Sequence, residues 1–358
     1  MFLILSTQDS ARSTFFMMSE SPQKVLIVHT GGIGDLLLAL PAMRAFRQSF
    51  SKDTLELMGR PERLSLVAFD LKATQIHSAD SGELSRYYLE GSSLPGRLSS
   101  FFAAFHTVLL FGKSASLIFA ENLKRSGVNR VIFLPPFPPD GAKIHATEYL
   151  LDSLRSSGIE GKNFYGPLQI SEEALAFAEQ FWTDRGGREK RKPILAVHVG
   201  SGSPGKNWSP ENFAEVIDWA TRRSKVLFIS GPAEGGAREV IAALRGEVPF
   251  ILENPSLSHL AALLRRCSVY LGNDSGVTHL AAWVGIPTIA IFGPTDPNVW
   301  GPKGKKIKII MERESCSPCS GEKRGPCLRP CLTRIHPGRV KDVLQDLMER
   351  DRRIGEGD

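Results

Sequence analysis

The chain of 358 residues is 42% hydrophobic and 23% charged, with 33 Gly and 23 Pro. This composition excludes collagen, coiled coil and disorder and provides apolar material for two cores. The net charge is +6, and residues 301–358, with 14 basic and 9 acidic residues, carry +5 of it. A local excess of this kind fits either an anionic partner or a solvated lysine face. No run approaches the roughly 18–20 apolar residues of a membrane span. Residues 1–5 are too short an apolar stretch, with no basic region before them, for an export signal. The expectation is a cytoplasmic protein in which residues 1–23 are a disordered extension, with Met17 or Met18 as a candidate start.

The first strong element is the apolar run over residues 24–29, the pattern of a buried parallel strand. A glycine loop follows it, Thr30-Gly31-Gly32-Ile33-Gly34-Asp35, and then apolar residues recur at helical spacing from Leu36 to Phe50. Further strands are expected at 54–58, 75–77, 107–111 and 130–133, and helices at 114–125, 143–157 and 172–185. This alternation predicts a doubly wound α/β unit. A polar, glycine-bearing stretch at 184–193 reads as an interdomain linker. The same grammar then restarts, with strands at 194–199, 226–230, 269–271 and 288–292 and helices at 211–223, 236–244, 258–266 and 275–284. The predicted organisation is a first unit over 24–185, a second unit over 186–340 that includes a cysteine-bearing basic segment at 303–335, and a C-terminal helix and tail over 341–358. A ligand cleft is expected between two such units, at the carboxyl ends of their strands.

Three loops carry the chemistry. In the first, Gly31, Gly32 and Gly34 let the backbone turn sharply from strand to helix. The dinucleotide pattern G-x-G-x-x-G is incomplete, because Leu37 stands at its third glycine position. That demotes a nicotinamide-dependent oxidoreductase, with Glu56 at the end of the second strand its remaining support. Asp35 at the helix start reads either as a cap or as a carboxylate at the mouth of a cleft, placed to accept a proton. In the second loop, His198 to Trp208, hydroxyls and backbone N–H groups at Ser201, Gly202 and Ser203 suit phosphate oxygens and Lys206 supplies a charge. A plain linker loop is the alternative there, since no Walker order is present. In the third, Asp274 or Ser275 caps a helix whose free N–H groups at Gly276 and Val277 form an anion site. His279, one turn on, is either part of that site or a packed core histidine.

Together these segments resemble the family 9 glycosyltransferases, the ADP-heptose:lipopolysaccharide heptosyltransferases. The matching stretches are residues 25–41 with Gly-x-Gly-Asp, 198–208 with Lys-x-Trp, and 272–297 with Asn-Asp-Ser-Gly-x-x-His and Phe-Gly-Pro-Thr-Asp-Pro. The resemblance implies a GT-B fold, two Rossmann-like domains facing across a cleft, with inverting transfer from a nucleotide sugar and no cofactor required for catalysis. By position it makes Asp35 the base and Lys206 the lysine on the donor diphosphate. Ser201 and Gly202 become the phosphate-contacting pair, Asp274 the acid that holds the sugar, and Gly276 and His279 the donor-loop glycine and histidine. One departure is Ser201-Gly202, where many relatives carry two hydroxyl residues, which shifts one phosphate contact to backbone or Ser203. Glu234 falls near the nucleoside-binding position. The implied partners are an ADP-sugar donor and a lipopolysaccharide core acceptor at the inner leaflet of the inner membrane, rather than nucleic acid. A family member with another donor or acceptor, and a non-catalytic binding module, are the alternatives.

Cys316, Cys319, Cys327 and Cys331 are spaced for a tetrahedral thiolate site, so structural zinc, a disulfide staple and unpaired thiols are all open. The lysines and arginines around them, among them Lys303, Lys305, Lys306, Lys308, Lys323 and Arg324, suit a membrane surface or plain solvent.

Overall fold

Two parallel sheets organise the computed structural model, which describes residues 22–162, 164–185, 192–231, 235–317, 319 and 327–355. Most of the expected N-terminal extension, the centre of the linker, Glu234, Lys323 and Arg324 lie outside the described residues. In chain order the first sheet grows from β1 (Lys24–His29), α1 (Ile33–Ser49), β2 (Thr54–Gly59), α2 (Pro61–Ala68), β3 (Gln75–Ser78), α3 (Gly96–Ala103), β4 (Thr107–Phe111), α4 (Ser116–Arg125) and β5 (Arg130–Leu134). Helices α5 (Ala146–Ser156) and α6 (Glu172–Asp184) follow. The second sheet is built from β6 (Ile194–His198), α7 (Pro210–Thr221), β7 (Lys225–Ser230), α8 (Gly235–Ala243), β8 (Phe250–Glu253), α9 (Leu257–Leu264), β9 (Val269–Asn273), α10 (Gly276–Val284), β10 (Thr288–Ile291), α11 (Pro297–Trp300) and β11 (Ile307–Ile310). The short α12 (Pro330–Thr333) and the long α13 (Pro337–Gly355) close the chain.

The continuous apolar runs of the central strands follow from burial on both faces. Val25 and Ile27 of β1 enter one core, and Leu26 and Val28 enter another on the opposite face. In β6, Leu195 and Val197 point into a third core while Ala196 joins the first. Two strands were not anticipated from the sequence, β8 and β11, and both lie at sheet edges. Edge strands are half solvated, so Phe250 and Ile251 are exposed and β11 carries an exposed Lys308, which hides the apolar pattern.

The strand orders are β3-β2-β1-β4-β5 and β11-β10-β9-β6-β7-β8. In each sheet the order reverses beside the first strand, between β1 and β4 and between β6 and β9. Those reversals open a crevice at the carboxyl ends of the strands, where the loops after β1, β6 and β9 emerge. The two halves meet along α1 against α10 and α6 against α9. The crevices therefore face each other. Among the described residues, no helix is long and apolar enough to cross a membrane.

Candidate active site

A cleft of about 570 Å³ opens where the two switch points meet, lined from the first half by Gly32, Gly34 and Asp35 and from the second by Ser201, Gly202, Lys206, Asp274, Ser275, Gly276, Val277 and His279. Residues as far apart in the chain as Gly32 and Trp300 thus share one cavity. Gly31 and Ser203 do not line it. The Gly31 carbonyl instead accepts a hydrogen bond from Arg63 Nη1 at 2.7 Å, and the Ser203 carbonyl accepts from Ser201 Oγ at 2.6 Å. The cysteines also lie outside the cleft lining.

Asp35 occupies the first turn of α1, and its Oδ2 accepts the Gly32 N–H at 2.9 Å. The capping role is therefore real, and the same carboxylate borders the cleft. His29, buried beneath this loop, is held neutral with its pKa lowered to about 4: burial is the main cause, opposed by Asp35 and aided by Arg63.

Across the cleft, Ser275 caps α10 by accepting the Thr278 N–H on its hydroxyl at 3.3 Å, and its Oγ also lies 3.4 Å from His198 Nδ1. Asp274 precedes the cap. Its Oδ2 lies 2.8 Å from Lys206 Nζ and accepts a hydrogen bond from Thr295 Oγ1 at 2.5 Å. The approach of the two halves is tight here, because a Cβ built on Gly276 would stand 2.7 Å from Ile33 Cβ and 3.0 Å from Gly34 N. Gly276 is needed for the first loop to close against the N-terminus of α10.

His279 is neither a surface ligand nor a satisfied core residue. It is buried, its Nδ1 has no hydrogen-bond partner, and its pKa is lowered to about 4. Burial is the largest cause; Asp274 and Asp35 pull the value up, while His145 and Lys206 push it down. The ring is neutral at pH 7 and faces a cavity lined with charge. His145 caps α5, taking the Thr147 N–H on Nδ1, while its Nε2 donates to the Gly301 carbonyl at 2.9 Å. It thereby ties the first half to the second.

Several residues of these motifs shape the site through partners that the chain alone does not specify. Asn273 is fully buried, its Oδ1 accepting the Trp208 N–H at 3.0 Å and its Nδ2 donating to the Val199 carbonyl at 2.7 Å. Trp208 in turn donates its indole N–H to the Ile335 carbonyl at 3.0 Å. The Lys-x-Trp and Asn-Asp-Ser-Gly segments are therefore one unit, in which Trp208 and Asn273 anchor the loops that carry Lys206 and Asp274. Phe137 and Trp300, in T-shaped contact at 5.5 Å, complete one wall.

The four clustered cysteines are free thiols, with Cys316, Cys319 and Cys327 exposed and Cys331 buried. Burial raises the Cys331 pKa, and the other three cysteines raise it further. Among the described residues, no three His, Cys, Asp or Glu side chains are arranged to hold a metal ion.

Facing α/β halves, with a carboxylate on one and a lysine and an open helix N-terminus on the other, define a glycosyltransferase of the GT-B fold. The sequence model for glycosyltransferase family 9 (heptosyltransferase) matches residues 143–326, just over half of the chain. The protein belongs to this family. It is 24% identical over 312 residues to the lipopolysaccharide core heptosyltransferase OpsX of Haemophilus influenzae, covering 83% of this chain and 87% of that one. It is 29% identical over 167 residues to lipopolysaccharide heptosyltransferase 2 of Salmonella typhimurium, covering 45% of this chain and 48% of that one. In fold it is similar to the glycosyl transferase family 9 protein of Veillonella parvula, with a TM-score of 0.73 at 19% identity over 93% of this chain and 99% of that one. The ADP-heptose lps heptosyltransferase II of E. coli superimposes with a TM-score of 0.68 at 18% identity, covering 92% and 100%.

Proposed function

We propose that the protein transfers a heptose from ADP-heptose to the inner core of a lipopolysaccharide precursor, with inversion at the anomeric carbon and no metal in the chemical step. The observation that carries this reading is the convergence of Asp35 from one half with Lys206 and the N-terminus of α10 from the other on a single cleft. In the reaction an acceptor hydroxyl loses its proton to the Asp35 carboxylate as its oxygen bonds to the anomeric carbon. The bond from that carbon to the diphosphate oxygen breaks, and the electron pair leaves with ADP. Lys206 and the free N–H groups at Gly276 and Val277 meet the negative charge that develops on the departing diphosphate. Asp274 receives the sugar hydroxyls, and Glu234 the nucleoside. The OpsX and heptosyltransferase 2 relatives, both named as lipopolysaccharide heptosyltransferases, support a heptose as the sugar and lipopolysaccharide as the acceptor.

Asp35→Asn tests the chemistry, because the amide oxygen keeps the cap on the Gly32 N–H but takes no proton. Turnover of ADP-heptose against defined core acceptors is expected to fall by about 10²–10⁴-fold with little change in melting temperature. Turnover at the unsubstituted rate would remove Asp35 as the base.

The lysine-rich edge, where Lys305, Lys306 and Lys308 are exposed, fits a cytoplasmic enzyme peripheral to an anionic inner-membrane surface. Co-sedimentation with anionic vesicles, lost in high salt, tests this. Structural zinc on Cys316, Cys319, Cys327 and Cys331 is a separate proposal that rests on their spacing in the chain and requires the four sulfurs to draw together on binding the metal. Metal analysis of the reduced protein decides it.

A further inference from the structure

Asp274 receives two donors on the same carboxylate oxygen. Lys206 Nζ stands 2.8 Å from Oδ2 and Thr295 Oγ1 donates to it at 2.5 Å, while the Asp274 side chain is only 7% exposed. A carboxylate this buried depends on its partners, and losing one of them is costly. On the reading given above, Lys206 serves the donor diphosphate, so donor binding draws it away from Asp274. The hydrogen bond that then remains is the one from Thr295.

We propose that Thr295 is a positioning residue of the donor site: its hydroxyl keeps Asp274 partnered and aimed into the cleft when Lys206 leaves it for the diphosphate of a nucleoside-diphosphate sugar. The inference rests on the assignment of Lys206 to the diphosphate.

The loop that carries Thr295 is braced for this task. Asp274 N–H donates to the Ile291 carbonyl at 2.9 Å, which ties the end of β10 to the residue that Thr295 must reach. Cys319 N–H donates to the Pro294 carbonyl at 2.8 Å. Gly293 leaves room for Leu332, whose Cγ would stand 2.6 Å from an added Cβ. The hydroxyl is thus delivered from a supported turn, and it borders the same cleft as Lys206.

The test is calorimetric titration of ADP into the full chain and into Thr295→Val, Thr295→Ser, Asp274→Asn and the Thr295→Val/Asp274→Asn pair. ADP carries the diphosphate but no sugar, so it reports the departure of Lys206 by itself. Thr295→Val is expected to weaken ADP about tenfold, the effect of one hydrogen bond to a charged group. Thr295→Ser is expected to bind within about twofold of the unsubstituted chain, and the valine substitution to add nothing in the Asp274→Asn background. Unchanged ADP affinity in Thr295→Val, or the same tenfold loss without the Asp274 carboxylate, would overturn the role of Thr295. Failure of the unsubstituted chain to bind ADP would instead overturn the donor assignment beneath it.

Discussion

The indole N–H of Trp283 in α10 donates to the Leu37 carbonyl in α1 at 3.0 Å, across the seam between the two halves. Leu37 has a carbonyl to spare because Pro41, four residues on and inside α1, has no N–H to fill it. The proline costs α1 one internal hydrogen bond, and the second half of the molecule replaces it. Arg44 stacks over the same indole at 5.1 Å. The seam is thus specified by a polar contact as well as by packing.

Trp283→Phe is expected to lower the unfolding free energy by about 1–3 kcal/mol, since it leaves the buried Leu37 carbonyl unpaired. Adding Pro41→Ala restores an N–H that can reach Leu37 within α1 and should recover part of the loss. Urea unfolding of the single and double variants measures both, and an equal loss with and without Pro41 would show that the contact is only packing.

Removing the Asn273 side chain by Asn273→Ala strands the Trp208 N–H and the Val199 carbonyl together. With both groups buried, the expected cost is about 2–4 kcal/mol, read as a lower melting temperature. Because the loops bearing Lys206 and Asp274 lose their common anchor, the donor KM should rise in the same variant. A rise in KM with unchanged melting temperature would separate the two roles.

Gly276→Ala places a methyl 2.7 Å from Ile33 Cβ and forces the first loop away from α10. Turnover is expected to fall at least about tenfold, as for a misplaced reacting geometry. Ile33→Gly, which removes the nearest atom of the clash, should return part of it. Turnover of Gly276→Ala at the unsubstituted rate would show that the halves need not close at this point.

His29 and His279, both with pKa lowered to about 4, make stability depend on pH. Above about pH 6.5 the imidazoles are neutral in the folded and the unfolded chain alike and contribute no pH dependence. As pH falls from there toward 4, the unfolded chain takes up protons that the folded chain refuses, so stability declines. The loss is about 2 kcal/mol per histidine by pH 5. Glu56, which burial would raise but Lys24 and His77 bring below its ordinary value, extends the decline below about pH 4.5. Denaturant unfolding at pH 7.5 and 5.0 checks this, and equal free energies would mean that both rings are protonated in the fold.

The alternation of elements and the glycine-bearing loops were legible in the chain because buried parallel strands and strand-to-helix turns restrict residue type locally. Lys206, Asp274, Gly276 and Asp35 were singled out on that basis, and they meet in one cleft. The edge strands β8 and β11 were not legible, because solvent on one side relaxes the apolar pattern. Nor was the work of Asn273, Trp208 or Thr295, whose partners lie 65, 127 and 21 positions away. A local pattern carries no information about such pairings.

Local sequence therefore decides that two α/β halves form, where each turns from strand to helix, and which family's motifs they bear. Only the packed molecule decides that Asp274 holds Lys206, that Asp35 both caps its helix and borders the cleft, and that His279 is buried with an open nitrogen. Those facts depend on how α1 and α10 approach, and that approach depends on the missing Cβ of Gly276 and on the carbonyl that Pro41 leaves for Trp283.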